Sequence, residues 1–243
     1  MGIRMKEGKI ILRVEHITKK YGKILANNDL SFTVQDGEIA ILLGPNGAGK
    51  STVIKAIAGL LRFEGKIYIN DVLNKTIEAK RNVGYIPEIP CLYPLLTVWE
   101  HLEFIARAYS LENWEDYAQQ LITRFDIADK KDKLSTELSK GMQQKVSICC
   151  GLLHKPQVII FDEPMVGLDP YAIKELKKLF IELKDEGGSI LISTHMLDSV
   201  EDYWDVAYIM KQGSFISKKE RKAMKEGNLE DLFFDLTVKE VIE

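Results

Sequence analysis

The sequence predicts an α/β fold: a mostly parallel sheet with a helical subdomain inserted into it. Three observations carry this reading. Short, nearly continuous apolar runs at residues 39–43, 158–161, 190–193 and 206–210 have the length and composition of strands buried on both faces. Helical patterns at 50–60 and 171–184 lie among them, and strands alternating with helices give a parallel sheet. From about Thr97 to His154 the β-branched runs vanish and the pattern turns helical, with Pro90 and Pro94 punctuating the start.

Along the chain, residues 9–15 and 30–34 alternate apolar and polar, as half-buried strands do. The run 39–43 ends at Gly44 and reads as a central strand. The helix from Lys50 places Val53, Ile54, Ile57 and Leu61 on one face. Residues 66–69 are strand-like. The expected division is a core of 1–88 and 156–243 with an inserted helical subdomain of 89–155. In the tail, a charged stretch at 218–226 precedes Leu229, Leu232, Phe233 and Leu236 at helical spacing, which predicts a short docked helix.

The 243 residues, 46% of them apolar, suit one domain carrying an inserted lobe and can bury a sizeable core. A net charge of -3 and a pI near 5.9 give no electrostatic ground for a nucleic-acid partner. No apolar run approaches the roughly 20 residues of a membrane helix. The opening MGIRMKEGKIILRVEH lacks the apolar segment and cleavage site of a secretion signal. The expectation is a cytosolic chain that reaches a membrane only through a partner. Cys91, Cys149 and Cys150 show no metal-ligand spacing with histidine and read as reduced thiols packed as small apolar residues.

The strongest chemical signal is GPNGAGKST, which is Gly44, Pro45, Asn46, Gly47, Ala48, Gly49, Lys50, Ser51 and Thr52. It satisfies G-x-x-x-x-G-K-[ST] and sits between an expected strand and an expected helix. Glycines let the backbone curl so that its N–H groups converge on phosphate oxygens, and the helix N-terminus adds positive partial charge. Lys50 would reach the β- and γ-phosphates of ATP, and the Ser51 hydroxyl would ligate Mg²⁺.

The second signal is VIIFDEP, an apolar strand that ends in Asp162 and Glu163. Ligands of such sheets lie beyond the carboxyl ends of the strands. Asp162 is the expected Mg²⁺ holder and Glu163 the group that polarises the attacking water. Alone, an apolar strand followed by two acids is weak; paired with the phosphate loop it becomes specific.

LSKGMQQK precedes a helix that runs to about His154, GLDP follows the acidic pair, and His195 follows the strand at 190–193. With the phosphate loop these segments resemble, in order and spacing from about Lys9 to Gly213, the nucleotide-binding subunit of an ATP-binding-cassette (ABC) transporter, most closely exporter subunits of the ABC-2 and Ecs type. The resemblance implies a P-loop NTPase core with an N-terminal antiparallel β-subdomain and an ATP hydrolase that drives transport through a separate membrane-spanning subunit. It implies a dimer with a second copy or a related ATPase subunit, located on the cytoplasmic side of the plasma membrane. Within that resemblance Ser139, Lys140, Gly141 and Met142 contact ATP held by the opposite subunit, Asp169 touches across the dimer, His195 contacts the γ-phosphate, and Tyr21 stacks on adenine. His16, His101 and His154 have no such placement and read as surface or packing residues.

Two departures stand out. The signature, usually LSGGQ, reads Leu138-Ser139-Lys140-Gly141-Met142, and the segment that usually ends in glutamine ends in Glu88, whose carboxylate can also ligate Mg²⁺. The resemblance further places docking of the membrane subunit on the segment 89–102, with Tyr93, Leu96 and Trp99 as contacts. Leu95, Val98 and Leu102, at helical spacing, are expected to pack inside the lobe. A P-loop kinase would not need the signature or GLDP segments, and a non-catalytic module would not need Lys50, Ser51, Asp162, Glu163 and His195 together.

Overall fold

A computed structural model describes residues 8–197, 200–224, 229 and 233. Two strands open the chain, β1 (Ile10–Tyr21) and β2 (Ile24–Gln35), followed by β3 (Ile39–Leu43) and helix α1 (Lys50–Ile57). Strands β4 (Glu64–Ile69) and β5 (Val72–Leu73), the short α2 (Ile77–Arg81) and β6 (Val83–Ile86) lead into the lobe. The lobe holds α3 (Val98–Tyr109), α4 (Glu115–Arg124) and α5 (Lys140–Leu152). The chain then runs through β7 (Val158–Asp162), α6 (Pro170–Asp185), β8 (Ser189–Thr194), β9 (Val206–Lys211) and β10 (Ser214–Glu220).

Among the described residues these strands form two sheets. One is antiparallel in the order β2-β1-β4-β5; the other runs β10-β9-β3-β8-β7-β6, parallel except for the antiparallel edge strand β10. Side chains alternate across β3, so its five buried residues serve two cores. Ala40 and Leu42 join α1 and the antiparallel sheet in one cluster. Ile39, Ile41 and Leu43 join α6 and the lobe helices in the other. Among the described residues the inserted lobe shares its core with the sheet: Leu102 of α3, Ile122 of α4 and Ile148 of α5 lie in one cluster with Phe161 and Phe180. No described helix is long and apolar enough to cross a membrane.

Several expectations are corrected. Helix α1 ends at Ile57, with Ala58 and Gly59 turning the chain out, so Leu61 is not on its face. The charged stretch beginning at Lys218 is partly strand: Lys218, Lys219 and Glu220 belong to β10, where an edge position lets charged side chains reach water. Strand β6 was not legible; its four residues VGYI are too short for a periodic signal and gain strand identity by pairing with β7. Leu95 is 83% exposed because helix α3 starts three residues later at Val98, capped by Thr97; Val98 and Leu102 are buried as expected. In the tail, Leu229 is helical and buried and Phe233 packs against the core, while Leu232 and Leu236 lie outside the described residues.

Candidate nucleotide site

Every element that leads into the site delivers its residues at the carboxyl end of a parallel strand, as the doubly wound architecture requires. Strand β3 ends in the loop that turns into α1 at Lys50. Strand β7 ends in Asp162 and is followed by Glu163; β8 ends in Thr194 and is followed by His195. The sheet register sets Asp162 opposite Ser193.

The Asp162 carboxylate is 1% exposed and is the hub of a hydroxyl network. Its Oδ1 accepts from Ser51 Oγ at 2.9 Å and from Ser193 Oγ at 2.6 Å. Ser193 Oγ in turn accepts from the Glu163 amide at 3.2 Å, so one buried hydroxyl orients both acids. Ser193 was legible only as strand; a serine closing an otherwise apolar run beside His195 was the signal available.

Glu163 has a φ of 48°, a left-handed conformation that costs a non-glycine residue energy and gathers at functional sites. The turn swings its side chain over the phosphate loop. Glu163 Oε1 lies 3.4 Å from Lys50 Nζ, and Oε2 lies 3.0 Å from His195 Nδ1. A carboxylate can only accept here, so Nδ1 carries the proton and Nε2 of His195 is the remaining imidazole nitrogen. Lys50 also donates to the carbonyls of Gly44 at 2.7 Å and Pro45 at 3.3 Å. An ammonium, a carboxylate and an imidazole thus meet at the strand ends, with the hard oxygens of Ser51 and Asp162 beside them. That donor set fits a small oxygen-seeking dication next to a polyphosphate.

Around this centre the other expected residues separate. Pro45, Asn46 and Gly47 are exposed on the outer loop, while Ala48 is buried. Ser51 and Thr52 are half-buried in the first turn of α1. Tyr21 closes the β1–β2 hairpin opposite Ile24 and is 46% exposed, with Lys19 Nζ 4.9 Å from its ring centroid. Glu88 is exposed and lines, with Tyr85, Tyr93, Phe104, Cys150 and Asp162, a groove of about 770 Å³ between sheet and lobe. Burial, with Asp162 and Glu88 nearby, pushes the Tyr85 phenol far up, so it stays a neutral hydrogen-bonding group.

Ser139, Lys140, Gly141 and Met142 sit at the start of α5, where the Ser139 hydroxyl caps the helix by accepting from the Met142 amide at 3.3 Å. A Cβ on Gly141 would stand 2.6 Å from the Gly167 carbonyl, so this glycine is demanded by packing within the chain itself. Asp169 caps α6 and pairs with Lys145. On the proposed docking segment, Tyr93 is 53% exposed and Leu96 half-buried. Trp99 is half-buried against Trp114, with ring centroids 5.2 Å apart. Cys91 is exposed, and burial drives the thiols of Cys149 and Cys150 upward, the latter to about 12, so both are inert packing groups. His101 is buried and accepts from the Tyr93 amide; His154 meets the Val83 carbonyl.

The family model described as "ABC transporter" matches residues 27–166. The ABC-type transporter ATP-binding protein EcsA of Bacillus subtilis is 38% identical over 93% of this chain and 96% of its own length. The lipopolysaccharide export system ATP-binding protein LptB of Haemophilus influenzae is 34% identical over 85% of this chain and 89% of its own. A solved ATP-binding subunit of an ABC transporter superposes with a TM-score of 0.88 at 36% identity, covering 93% of this chain and 99% of that one.

Proposed function

The chain belongs to the ABC transporter family as an ATP-binding subunit that hydrolyses ATP to power transport, and we propose that its strand-end cleft is one half of a two-subunit Mg-ATP site coupled to export. The observation that carries this reading is the meeting of Lys50, Glu163 and His195 beside the Ser51–Asp162 pair.

In this proposal the loop Gly44–Thr52 wraps the phosphates and Tyr21 covers the adenine. Ser51, Asp162 and Glu88 would hold Mg²⁺, which when bound would neutralise phosphate charge. Glu163 orients a water molecule and takes up its proton as the water oxygen attacks the γ-phosphorus. The bond from that phosphorus to the bridging oxygen breaks, ADP leaves with the electron pair, and Lys50 stabilises the charge that develops. His195, fixed through Nδ1 by Glu163, turns Nε2 to the γ-phosphate.

Ser139, Lys140, Gly141 and Met142 complete the site of a second copy or a related ATPase subunit, with Asp169 at the dimer seam. Their place at the N-terminus of α5 supports this, because the N–H groups that open a helix bind anions. The membrane-spanning subunit docks a helix on the segment 89–102 at Tyr93, Leu96 and Trp99, and this ATPase subunit works on the cytoplasmic side of the plasma membrane. Export as the direction is supported by the similarity to an export-system ATPase.

The test is Glu163→Gln. Turnover should fall about 10²- to 10⁴-fold, the range of a lost general base, while ATP binding persists and light scattering shows an ATP-dependent dimer. Unchanged turnover removes Glu163 from the mechanism; no dimer at saturating ATP removes the two-subunit site.

A further inference from the structure

Asn27 lies in β2, in the antiparallel sheet, 22 residues before Gly49. Its side chain is 0% exposed, and Nδ2 donates to the Gly49 carbonyl at 3.1 Å. A carbonyl can only accept, so the amide is oriented with its NH₂ toward the loop. Its Oδ1 is buried without a partner. A buried polar atom left unpaired is costly, and an apolar residue of the same size would avoid that cost. Packing alone therefore does not account for asparagine at this position.

The acceptor is the peptide that matters most to phosphate binding. The Gly49 carbonyl also takes the first helical hydrogen bond, from the Val53 amide at 3.1 Å. The peptide unit is rigid and trans, so the Lys50 N–H points opposite to the Gly49 C=O. Holding that carbonyl with two donors aims the Lys50 N–H back into the cradle of the loop. Polarising the carbonyl also strengthens the N–H as a donor. The surroundings are built for this contact. Gly49 has a φ of 101°, and a Cβ there would stand 2.4 Å from the Ala26 carbonyl and 2.6 Å from Asn27 Nδ2. A second strap runs through Gly213, which donates to the Ala48 carbonyl at 3.0 Å and accepts from the Asn28 amide at 2.8 Å.

We infer that Asn27 is a positioning residue of the nucleotide site: its amide fixes the Gly49–Lys50 peptide so that the Lys50 N–H serves the β-phosphate. The inference rests on the phosphate-loop assignment of Gly44–Thr52. The β-phosphate is common to ATP and ADP and is already fully charged in the bound substrate, so most of its interaction with the loop is made on binding. The loss should therefore appear as binding, with KM raised and kcat kept.

The test is Asn27→Leu in the full chain, with Asn27→Ser as a smaller replacement and Lys50→Ala alongside. KM for ATP and Kd for ADP should rise together by about tenfold, the scale of part of one charge-assisted hydrogen bond. kcat should stay within about twofold, and the melting temperature of Asn27→Leu should not fall, because the leucine removes the unpaired Oδ1. Nucleotide affinities within twofold of the parent in a folded Asn27 variant overturn the inference. In the unmodified chain the Asn27 side-chain amide resonance should shift when ADP is added. A resonance that stays in place also overturns the inference, whether or not the variants fold. If Lys50→Ala retains ATP affinity as well, it is the loop assignment that falls.

Discussion

Lys145 Nζ lies 2.7 Å from Asp169 Oδ2, joining the helix that opens with Ser139 to the turn that opens α6. The lysine is 6% exposed, whereas the Asp169 side chain is half-exposed and also caps α6 by accepting from the Ala172 amide at 2.8 Å. The hydrogen bond from Lys145, then that from Ala172, holds the Asp169 carboxyl below its ordinary range. Replacing the carboxylate by an amide keeps the helix cap, since asparagine caps as well as aspartate, but leaves a buried ammonium without its counter-charge. Asp169→Asn should destabilise the fold by about 1–3 kcal/mol at pH 7, read by urea denaturation. A folded-state pKa that is depressed adds stability above the unfolded value and loses it as pH falls. The difference between parent and variant should therefore be complete at pH 7 and shrink below about pH 4. A difference that grows on acidification would count against the pair.

Ser193 offers a separate test of how the acids are held. Ser193→Ala removes the 2.6 Å donor to Asp162 and one of the two acceptors of the Glu163 amide, which keeps the Ser193 carbonyl at 3.1 Å. Stability should drop by about 0.5–1.5 kcal/mol, the net worth of one hydrogen bond, since Asp162 keeps Ser51 and the Glu163 amide keeps the Ser193 carbonyl. Steady-state assays should show kcat reduced more strongly than ATP affinity, since both acids act on the γ-phosphate side. Parental kcat in a folded Ser193→Ala chain would show that the acids are positioned without it.

Glu88 and Asp162 line the same groove, and Glu88 stands where a neutral glutamine is usual in the family it resembles. Glu88→Gln should keep turnover at saturating Mg²⁺ and raise the Mg²⁺ concentration that gives half-maximal rate, because an amide oxygen is a weaker ligand than a carboxylate. Superimposable Mg²⁺ titrations for the two proteins would place Glu88 outside the site.

The proposed docking surface is narrower than the apolar sequence 89–102. The backbone of Tyr93 is pinned, its amide to His101 Nε2 at 2.9 Å and its carbonyl by Ser135 Oγ at 2.8 Å, and its ring remains outside. Leu95, 83% exposed, projects nearby in sequence. Tyr93→Glu and Leu95→Glu should leave the ATPase rate of the isolated chain intact and weaken co-purification with the membrane subunit. Trp99→Ala should instead lower stability by about 1–3 kcal/mol, less than a fully buried aromatic, because its contact with Trp114 is lost. Normal partner association of both glutamate variants would leave this segment as lobe surface only.

The sequence by itself determined the strand–loop–helix cradle, the acidic strand end and the helical insertion, because each rests on local periodicity or on residue types whose chemistry is spelled out over a few neighbours. GPNGAGKST needs glycines at adjacent turns, and VIIFDEP needs an apolar run to bury the strand that presents its acids. What the tertiary structure decided lies where distant segments meet. Leu95 left the lobe core because Thr97 caps α3 and starts the helix after it. Strands β6 and β10 took strand form through pairing with β7 and β9, which no window of four to seven residues contains. Asn27 became part of the phosphate loop only because packing of one sheet on the other brings β2 within 3.1 Å of Gly49. A single polar residue on a strand carries no mark of such a contact, since its hydrogen-bond partner is 22 residues away and the distance between them is set by two sheets.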